Sequence, residues 1–257
     1  MTTDSPAYLE KKKFFNRVLT VYGRKPVLEA LANPKLACFR LHLARSNRPS
    51  DALKQLLSLA AKKGTEVCYH DKQALARISK NARQDQGVAL DLTLDGLKYC
   101  DDFFLSNSQQ PFEMIALDNI TNPQNLGMII RSVCASPITA LLLPQRGCAA
   151  LDSLVIKASA GTLFKSQILL CSNLQQGLAL CKQQGAKIYG LDAKAPLKLS
   201  QLPPNESRVF ILGNETQGLS QAVEALCDNT VSIPMRNEVE SLNVAVTASL
   251  IAFRSVF

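Results

Sequence analysis

The fold of the second half of this chain is indicated most clearly by the segment Phe210-Ile211-Leu212-Gly213-Asn214-Glu215-Thr216-Gln217-Gly218-Leu219. It begins as a short apolar strand and runs directly into Gly-x-Glu-x-x-Gly, after which the pattern predicts a helix over 219–226. A strand that enters a glycine-bounded turn and then a helix is typical of α/β proteins with a parallel sheet. The turn is expected to present free backbone donors and acceptors at the carboxyl end of the strand.

The rest of residues 112–257 repeats this alternation of apolar strands and helices. The apolar runs are nearly continuous, so we predict a mostly parallel sheet with helices on both faces. Ligands of such sheets bind at the carboxyl ends of the strands. The predicted strands are 112–117, 140–143, 166–170, 187–191, 208–212 and 230–233, and the predicted helices are 126–135, 153–158, 174–184, 219–226 and 242–253.

The first part of the chain predicts a separate small α/β domain over residues 17–94. Its strands are expected at 39–44, 66–69 and 88–92, and its helices at 26–32, 51–63 and 72–78. A polar, Lys-rich arm over 1–16 precedes it. Residues 95–111 break the alternation with Asp, Ser, Asn, Gln and Pro, and they are interpreted as a linker to the domain 112–257.

The positive charge of the chain is concentrated in its first part. Residues 1–100 hold 18 Lys and Arg against 9 Asp and Glu, whereas residues 101–257 hold 11 against 12, in agreement with the net charge of +8. This asymmetry favours a module that binds a polyanion beside a neutral module. Charge alone leaves open the alternative of a solvated, Lys-rich surface.

Several classes of protein are disfavoured by composition. The eight cysteines are at least ten residues apart, so we expect free thiols in a reducing cytoplasm and no metal cluster. No apolar run approaches the roughly 20 residues that a membrane helix needs, and the start of the chain does not read as a signal peptide. A soluble, cytoplasmic protein is expected.

Histidine-dependent catalysis is disfavoured as well. The two histidines, His42 and His70, both lie in the first part and are interpreted as structural. Methyl transfer from a sulfonium fits such a chain, because the donor is already activated by its own charge. The protein then has to align donor and acceptor and help an oxygen lose its proton.

Two more segments place polar residues after predicted strands. The first, Leu117 to Arg131, contains Asn125-Leu126-Gly127 and ends on Arg131, one turn beyond Gly127 on the same helix face. The second contains Ile233-Pro234-Met235 and Ser241-Leu242-Asn243-Val244. Ser241 could be a plain helix cap, and Asn243 is expected inside the first turn of the helix. Each segment alone is compatible with ordinary turn chemistry.

Together and in this order, the three segments resemble the signature motifs of the SpoU (TrmH-type) family of SPOUT RNA 2′-O-ribose methyltransferases. The resemblance implies a trefoil knot in the carboxyl-terminal sheet, S-adenosylmethionine as cofactor, a homodimer, and RNA as substrate without a metal. It also implies a catalytic set and a set that binds the cofactor. The first is Asn125, Arg131, Glu215, Ser241 and Asn243, and the second is Leu212, Gly213, Gly218, Ile233, Met235 and Leu242.

The resemblance also suggests roles for these residues. The peptide groups of Gly213, Ile233 and Leu242 would hold the adenosyl moiety. Asn125 and Asn243 would orient the ribose and the loops, and Glu215 would fix its turn and Asn243. A guanidinium stays protonated, so Arg131 is expected to grip the phosphate and polarise the 2′-hydroxyl while the proton passes to phosphate or water.

The first part of the chain is similar to the substrate-binding domain of many family members. Val21-Tyr22-Gly23-Arg24 and Gln86-Gly87-Val88 match its opening and closing elements, with Asp85 where a histidine is common. Ribosomal RNA is therefore the first expected substrate and transfer RNA the second. Two alternatives remain open, a non-catalytic RNA-binding factor that kept the fold and a related SPOUT enzyme that methylates a base.

Overall fold

The computed structural model describes residues 18–94, 96–106 and 111–256, so the predicted arm over 1–16 lies outside the described residues. The chain forms two compact units. The first runs to residue 95 and includes Leu151–Ser153, and the second comprises 96–150 and the chain from Leu154 onward. Within the described ranges, no helix is both long and apolar enough to cross a bilayer.

In its described residues, the first unit is a four-stranded sheet with three helices. Strand order is β1-β4-β2-β3, in which β4 is antiparallel to both β1 and β2, and β3 is parallel to β2. The sequence pattern did not predict β1, which contains only five residues. The elements are β1 (Val18–Tyr22), α1 (Arg24–Ala32), β2 (Ala37–Ala44), α2 (Asp51–Lys63), β3 (Glu66–His70), α3 (Lys72–Ser79) and β4 (Val88–Thr93).

Helices α2 and α3 begin at the capping residues that the sequence predicts, whereas α1 begins at Arg24, two residues before the predicted start. Ser50 caps α2 by accepting a hydrogen bond from the backbone N–H of Leu53, and Gly64 ends it with a φ of 68°. Asp71 caps α3 in the same way.

Both histidines belong to a hydrogen-bonded row across the sheet. Nε2 of His42 lies 3.0 Å from the Asp91 carboxylate, and Nδ1 lies 2.9 Å from Nε2 of His70. The hydroxyl of Thr20 donates to Asp91 over 2.7 Å. Burial alone would raise the pKa of Asp91. Its hydrogen bonds to His42 and Thr20 and the nearby positive charges together outweigh burial, so the pKa is lowered. The ring of His42 is buried and bonded on both nitrogens, which supports the structural interpretation of this residue.

The second unit is a seven-stranded parallel sheet in the order β11-β9-β10-β6-β7-β8-β5. Its central strands are buried along their whole length, as expected for a sheet covered on both faces. The strands are β5 (Leu97–Tyr99), β6 (Glu113–Leu117), β7 (Ala140–Pro144), β8 (Ile168–Cys171), β9 (Lys187–Leu191), β10 (Arg208–Leu212) and β11 (Asn229–Val231). The helices are α4 (Cys100–Ser106), α5 (Pro123–Cys134), α6 (Ser153–Ala158), α7 (Leu174–Gln183), α8 (Gln221–Glu224) and α9 (Val244–Ala252).

The segment 95–111 is not only a linker. It contains β5, which pairs with β8 at the edge of the large sheet, and α4, whose Phe103 and Phe104 are buried in the core. Because polar residues stand at both ends of the segment, its composition did not indicate this short apolar stretch. Only packing against β8 shows it as part of the second unit.

Two further elements are shorter than the sequence predicts. The helix expected over 219–226 is a single turn, α8, because Leu219 and Ser220 still belong to the preceding loop. The closing helix begins at Val244 rather than 242, with Asn243 as its cap. Hydrogen bonds described below connect Ser220 and Asn243 to residues outside these helices.

A buried arginine anchors the central strand β10. Arg208 has no exposed surface, and its guanidinium donates to Glu113 over 2.9 Å and to Glu206 over 3.1 Å. A charge buried this deeply is tolerated only when paired. The pairing aligns β10 with β6 so that Leu212 stands opposite Leu117, which brings the loops after both strands together.

All eight cysteines are free thiols. Cys38, Cys100, Cys171 and Cys181 are buried, as the interpretation of packed thiols predicts, while the other four are half-buried. Burial raises the pKa of Cys171 to about 12, so this thiol stays protonated and packs as a small apolar group.

Candidate active site

The candidate site lies at the carboxyl ends of β6 and β10, the two central strands. The N–H of Asp118, the first residue after β6, donates to the carbonyl of Leu212 over 2.9 Å. Gly213 and its loop therefore start beside the loop that leads into α5. This is the edge at which parallel sheets bind ligands.

One hydrogen-bonded chain joins all three sequence motifs. The side-chain amide of Asn125 donates to the carboxylate of Glu215, and its Oδ1 accepts from Nδ2 of Asn243 over 3.1 Å. Oδ1 of Asn243 in turn accepts from the N–H of Ala245 over 2.9 Å and so caps α9. Asn125 is 5% exposed and stands at the centre of the chain. Residues 118 positions apart in sequence thus form one unit.

This chain corrects three expectations. Asn243 is the helix cap of α9 and not a residue of its first turn, and Ser241 is not the cap. Glu215 binds Asn125 and reaches Asn243 only through it. The physical reason is that an amide can accept and donate at once, so Asn125 bridges two loops that a carboxylate alone could not.

The loop 213–218 closes on itself. The N–H of Asn214 donates to the carbonyl of Gly218 over 3.0 Å, and the reverse bond measures 2.8 Å. A Cβ at Gly213 would lie 2.4 Å from the carbonyl carbon and oxygen of Gly218, so only glycine permits this closure. A glycine is therefore required at position 213, because a side chain there would clash with the backbone of Gly218.

Two polar side chains that were not among the predicted site residues, those of Asn214 and Asp118, hold this loop in place. Oδ1 of Asn214 accepts from the N–H groups of Thr216 and Gln217, and its Nδ2 donates to the carbonyl of Asn119. The carboxylate of Asp118 accepts from the N–H of Ser220 over 2.7 Å. Their position directly after β6 and β10 was a usable signal, because the carboxyl ends of adjacent parallel strands must meet.

The residues expected to hold the cofactor offer unpaired peptide groups. The backbone N–H and C=O of Gly213, Ile233 and Leu242 have no hydrogen-bond partner within 18–94, 96–106 and 111–256. Gly213 lies two residues before Glu215 in the sequence, and Leu242 directly precedes Asn243. Ile233 lies two residues after the end of β11. Unpaired peptide groups suit a ligand that carries both donors and acceptors, such as an adenine ring. The donor set therefore fits an adenosyl group.

The remaining predicted site residues are not part of the hydrogen-bonded chain. Leu212 is buried at the end of β10, Gly218 closes the loop and Met235 is half-buried two residues after Ile233. Arg131 and Ser241 are exposed, and neither side chain has a hydrogen bond or ion pair with the described residues. The structure brings together three of the five predicted catalytic residues and leaves the guanidinium of Arg131 free. Within the same ranges, no group of three His, Cys, Asp or Glu could hold a metal ion.

A polar cavity of about 520 Å³ lies next to this site. Asp118 and Asn119 line it from β6, Arg146 from the end of β7, and Asn173 from the start of α7. None of the predicted cofactor residues lines it. Asp118 and Asn119 therefore connect the cavity to the loop 213–218.

The glycine at position 127 of α5 is required by the close approach of a neighbouring helix. A Cβ there would lie 2.4 Å from Cβ of Ala158 and 2.9 Å from the backbone N of Ser159. The glycine thus permits close approach of α6, not of a ligand.

Gly127→Ala is expected to destabilise the protein by about 1–3 kcal/mol through overpacking. An exposed helical glycine would show the opposite sign, since Gly→Ala normally stabilises a helix by about 1 kcal/mol. Thermal unfolding measures the effect, with Gln124→Ala on the same helix as a control that leaves the melting temperature unchanged. An increase in melting temperature for Gly127→Ala would contradict the packing described.

Comparison with known protein families shows which family this chain belongs to. The profile of the SpoU rRNA methylase family matches residues 113–253, and the profile described as RNA 2′-O ribose methyltransferase substrate binding matches residues 20–95. The chain belongs to the SpoU rRNA methylase family. This confirms the resemblance inferred from the three motifs and from the amino-terminal elements.

Curated relatives carry names of the same kind. A protein of Mycobacterium leprae named as an uncharacterized tRNA/rRNA methyltransferase is 33% identical over 233 residues, which cover 90% of this chain and 75% of the relative. A protein of Mycobacterium avium with that name is 34% identical over the same length and covers the same shares of both chains. As a member of this family with such relatives, the chain is an RNA methyltransferase.

Solved structures agree in fold. The SpoU methyltransferase AviRb from Streptomyces viridochromogenes, in complex with AdoMet, has a TM-score of 0.69 at 22% identity, covering 96% of this chain and 92% of its own. An AdoMet-bound rRNA methyltransferase from Sinorhizobium meliloti has a TM-score of 0.66 at 19% identity, covering 95% and 89%. The predicted α/β class, with a small domain before a parallel sheet, is confirmed.

Proposed function

We propose that this SpoU-family protein transfers the methyl group of S-adenosylmethionine to a ribose 2′-hydroxyl of RNA. The observation that carries the proposal is the chain Asn125–Glu215–Asn243, with the unpaired peptide groups of Gly213 and Leu242 close in sequence to Glu215 and Asn243. Ribosomal RNA is the first candidate substrate because the family is named for it, and transfer RNA is the second. The trefoil knot stays a prediction.

The chain's own residues position the acceptor. Asn125 and Asn243 hold the loops around the site through their mutual bond, and the free guanidinium of Arg131 is available to bind the phosphate next to the target ribose. S-adenosylmethionine would supply a methyl group whose bond to sulfur breaks as the bond to the 2′-oxygen forms. The hydroxyl proton leaves to the phosphate or to water, since a guanidinium cannot accept it.

Calorimetric titration with S-adenosylmethionine tests the cofactor, with a dissociation constant in the micromolar range as the expected result. No heat at millimolar ligand would favour a non-catalytic RNA-binding factor. Nuclease digestion and mass spectrometry of RNA methylated by the protein then test the acceptor. A 2′-O-methyl nucleoside is expected, and a methylated base would reject the ribose assignment.

A second copy of the chain is proposed to cover the outer face of α5 and α9. Met128, Val246 and Leu250 are 42%, 48% and 44% exposed on these two helices, which pack together through a 2.8 Å bond between Ser132 and Ser249. A cluster of large exposed apolar side chains marks an interface.

Val246→Glu combined with Leu250→Glu is expected to convert a dimer into a monomer, because two buried charges would face each other across a two-fold axis. Light scattering after size exclusion measures the mass. Leu105→Glu is the matched control, since Leu105 is 85% exposed on α4, away from this face. A wild-type monomer at micromolar concentration would refute the dimer.

A further inference from the structure

The loops at one end of the first unit's sheet carry a cluster of basic side chains. We call it the basic rim. Except for the half-buried Arg24, its members are exposed to solvent. The basic rim consists of Arg24, Lys25, Arg45, Arg48, Lys72, Lys80 and Arg83.

Sheet topology brings these loops together. Strands β1, β2 and β3 all end at this side, and β4, antiparallel to β1 and β2, begins there. The rim residues follow β1, β2 and β3 or precede β4. Helix α3 lies across the same end, since its Leu75 packs against Tyr22 and Ala89. Residues up to 59 positions apart in sequence therefore share one surface.

The positive charge of the rim is not neutralised. None of its seven cations forms an ion pair with a carboxylate of the described residues. The acids at this end have other partners. Asp71 caps α3, Asp85 accepts from the hydroxyl of Ser79 and the N–H of Gly87, and Asp152 accepts from the hydroxyl of Tyr22. The rim thus presents free cations to solvent.

The opposite end of the same sheet differs. Among the described residues, its basic residues are Lys35, Arg40, Lys62 and Lys63, and the ammonium group of Lys63 is bound to the carbonyls of Asn33 and Leu36 over 2.7 and 2.8 Å. Glu66 at that end pairs with Arg40. The excess positive charge of this unit is therefore concentrated at the rim.

Hydrogen bonds between the loops fix the rim in place. The N–H of Arg24 donates to Oε1 of Gln86 over 3.1 Å, and Nδ2 of Asn47 donates to the carbonyl of Gly87 over 2.7 Å. The N–H of Arg45 donates to the carbonyl of His70 over 2.8 Å. All four loops are thus linked, and a ligand would meet a preformed array of cations.

We propose that the basic rim is the surface of the first unit that docks the phosphate backbone of the substrate RNA. This inference rests on the proposed function, because RNA is the polyanion that the second unit would methylate. Guanidinium groups predominate in the rim, and they bind phosphate in bidentate geometry. Their contacts position RNA without reading its bases.

The test compares two triple variants of the full chain that remove the same charge. Arg45→Ala, Arg48→Ala and Arg83→Ala alter the rim, whereas Lys35→Ala, Lys62→Ala and Lys194→Ala alter exposed lysines outside the rim. The probes are a labelled 20-nucleotide oligouridylate and total ribosomal RNA, titrated at several KCl concentrations. The rim variant should bind at least tenfold more weakly at low salt. The slope of log affinity against log salt should fall by about 2, because each lost phosphate contact in single-stranded RNA contributes about 0.7.

The outcomes separate the two proposals. Equal losses in both variants, or none in the rim variant, would overturn the rim while leaving the function standing. Wild-type protein that binds neither probe would overturn both. Melting temperatures and affinity for S-adenosylmethionine should match wild type in each variant, and a second rim variant, Lys72→Ala with Lys80→Ala, checks the result if the first unfolds.

Discussion

Arg131→Ala is expected to lower the rate of methyl transfer by two to three orders of magnitude while leaving affinity for S-adenosylmethionine unchanged. The guanidinium has no hydrogen bond or ion pair with the described residues, so its loss breaks no such bond among them. Its expected contribution is to the transition state, where removal of one donor to a developing oxyanion costs about 3–4 kcal/mol. Single-turnover kinetics on RNA measures the rate, and calorimetry the cofactor affinity.

Two further variants sharpen this prediction. Arg131→Lys should recover only a small part of the activity, because an ammonium group binds phosphate as a point charge and not in bidentate geometry. Near-full turnover of this variant would refute bidentate phosphate capture. Lys194→Ala, which removes an exposed cation after β9, is the matched control and should behave as wild type.

Gly213→Ala is expected to weaken binding of S-adenosylmethionine by about one to two orders of magnitude. Its Cβ would lie 2.4 Å from the carbonyl group of Gly218, and this neighbour is backbone that cannot turn away. The loop must open, at a cost of about 1–3 kcal/mol for overpacking. Opening displaces the peptide groups of Gly213 and the bond between Asn214 and Gly218 together.

Thr216→Ala provides the control within the same loop. Within the part of the chain that the structure describes, the only hydrogen bond of Thr216 runs from its backbone N–H to the side chain of Asn214, and the residue is exposed. Cofactor affinity should therefore match wild type, and calorimetry measures both variants. Unchanged affinity in Gly213→Ala would show that the cofactor does not depend on the closed loop.

The fold was predictable where local chemistry and periodicity agree. Helix α2 has the predicted bounds because Ser50 and Gly64 mark its ends by their own conformations. Strands β9 and β10 also match their apolar runs. The prediction was wrong for 97–106, where pairing with β8 overrides a polar composition, and at Asn243, whose capping bond depends on α9 beginning two residues late.

For the site, the sequence by itself determined which residues carry polar and peptide groups after the strands, and in which order the three motifs occur. It could not determine that Asn125 is the bridge between Glu215 and Asn243, nor that Asp118 and Asn214 hold the loop. Those contacts join positions about 90 to 118 residues apart. The pairing of β10 with β6 and the packing of α9 against α5 bring them together. Which partner a side-chain donor or acceptor finds depends on its tertiary neighbours and not on the residue that carries it.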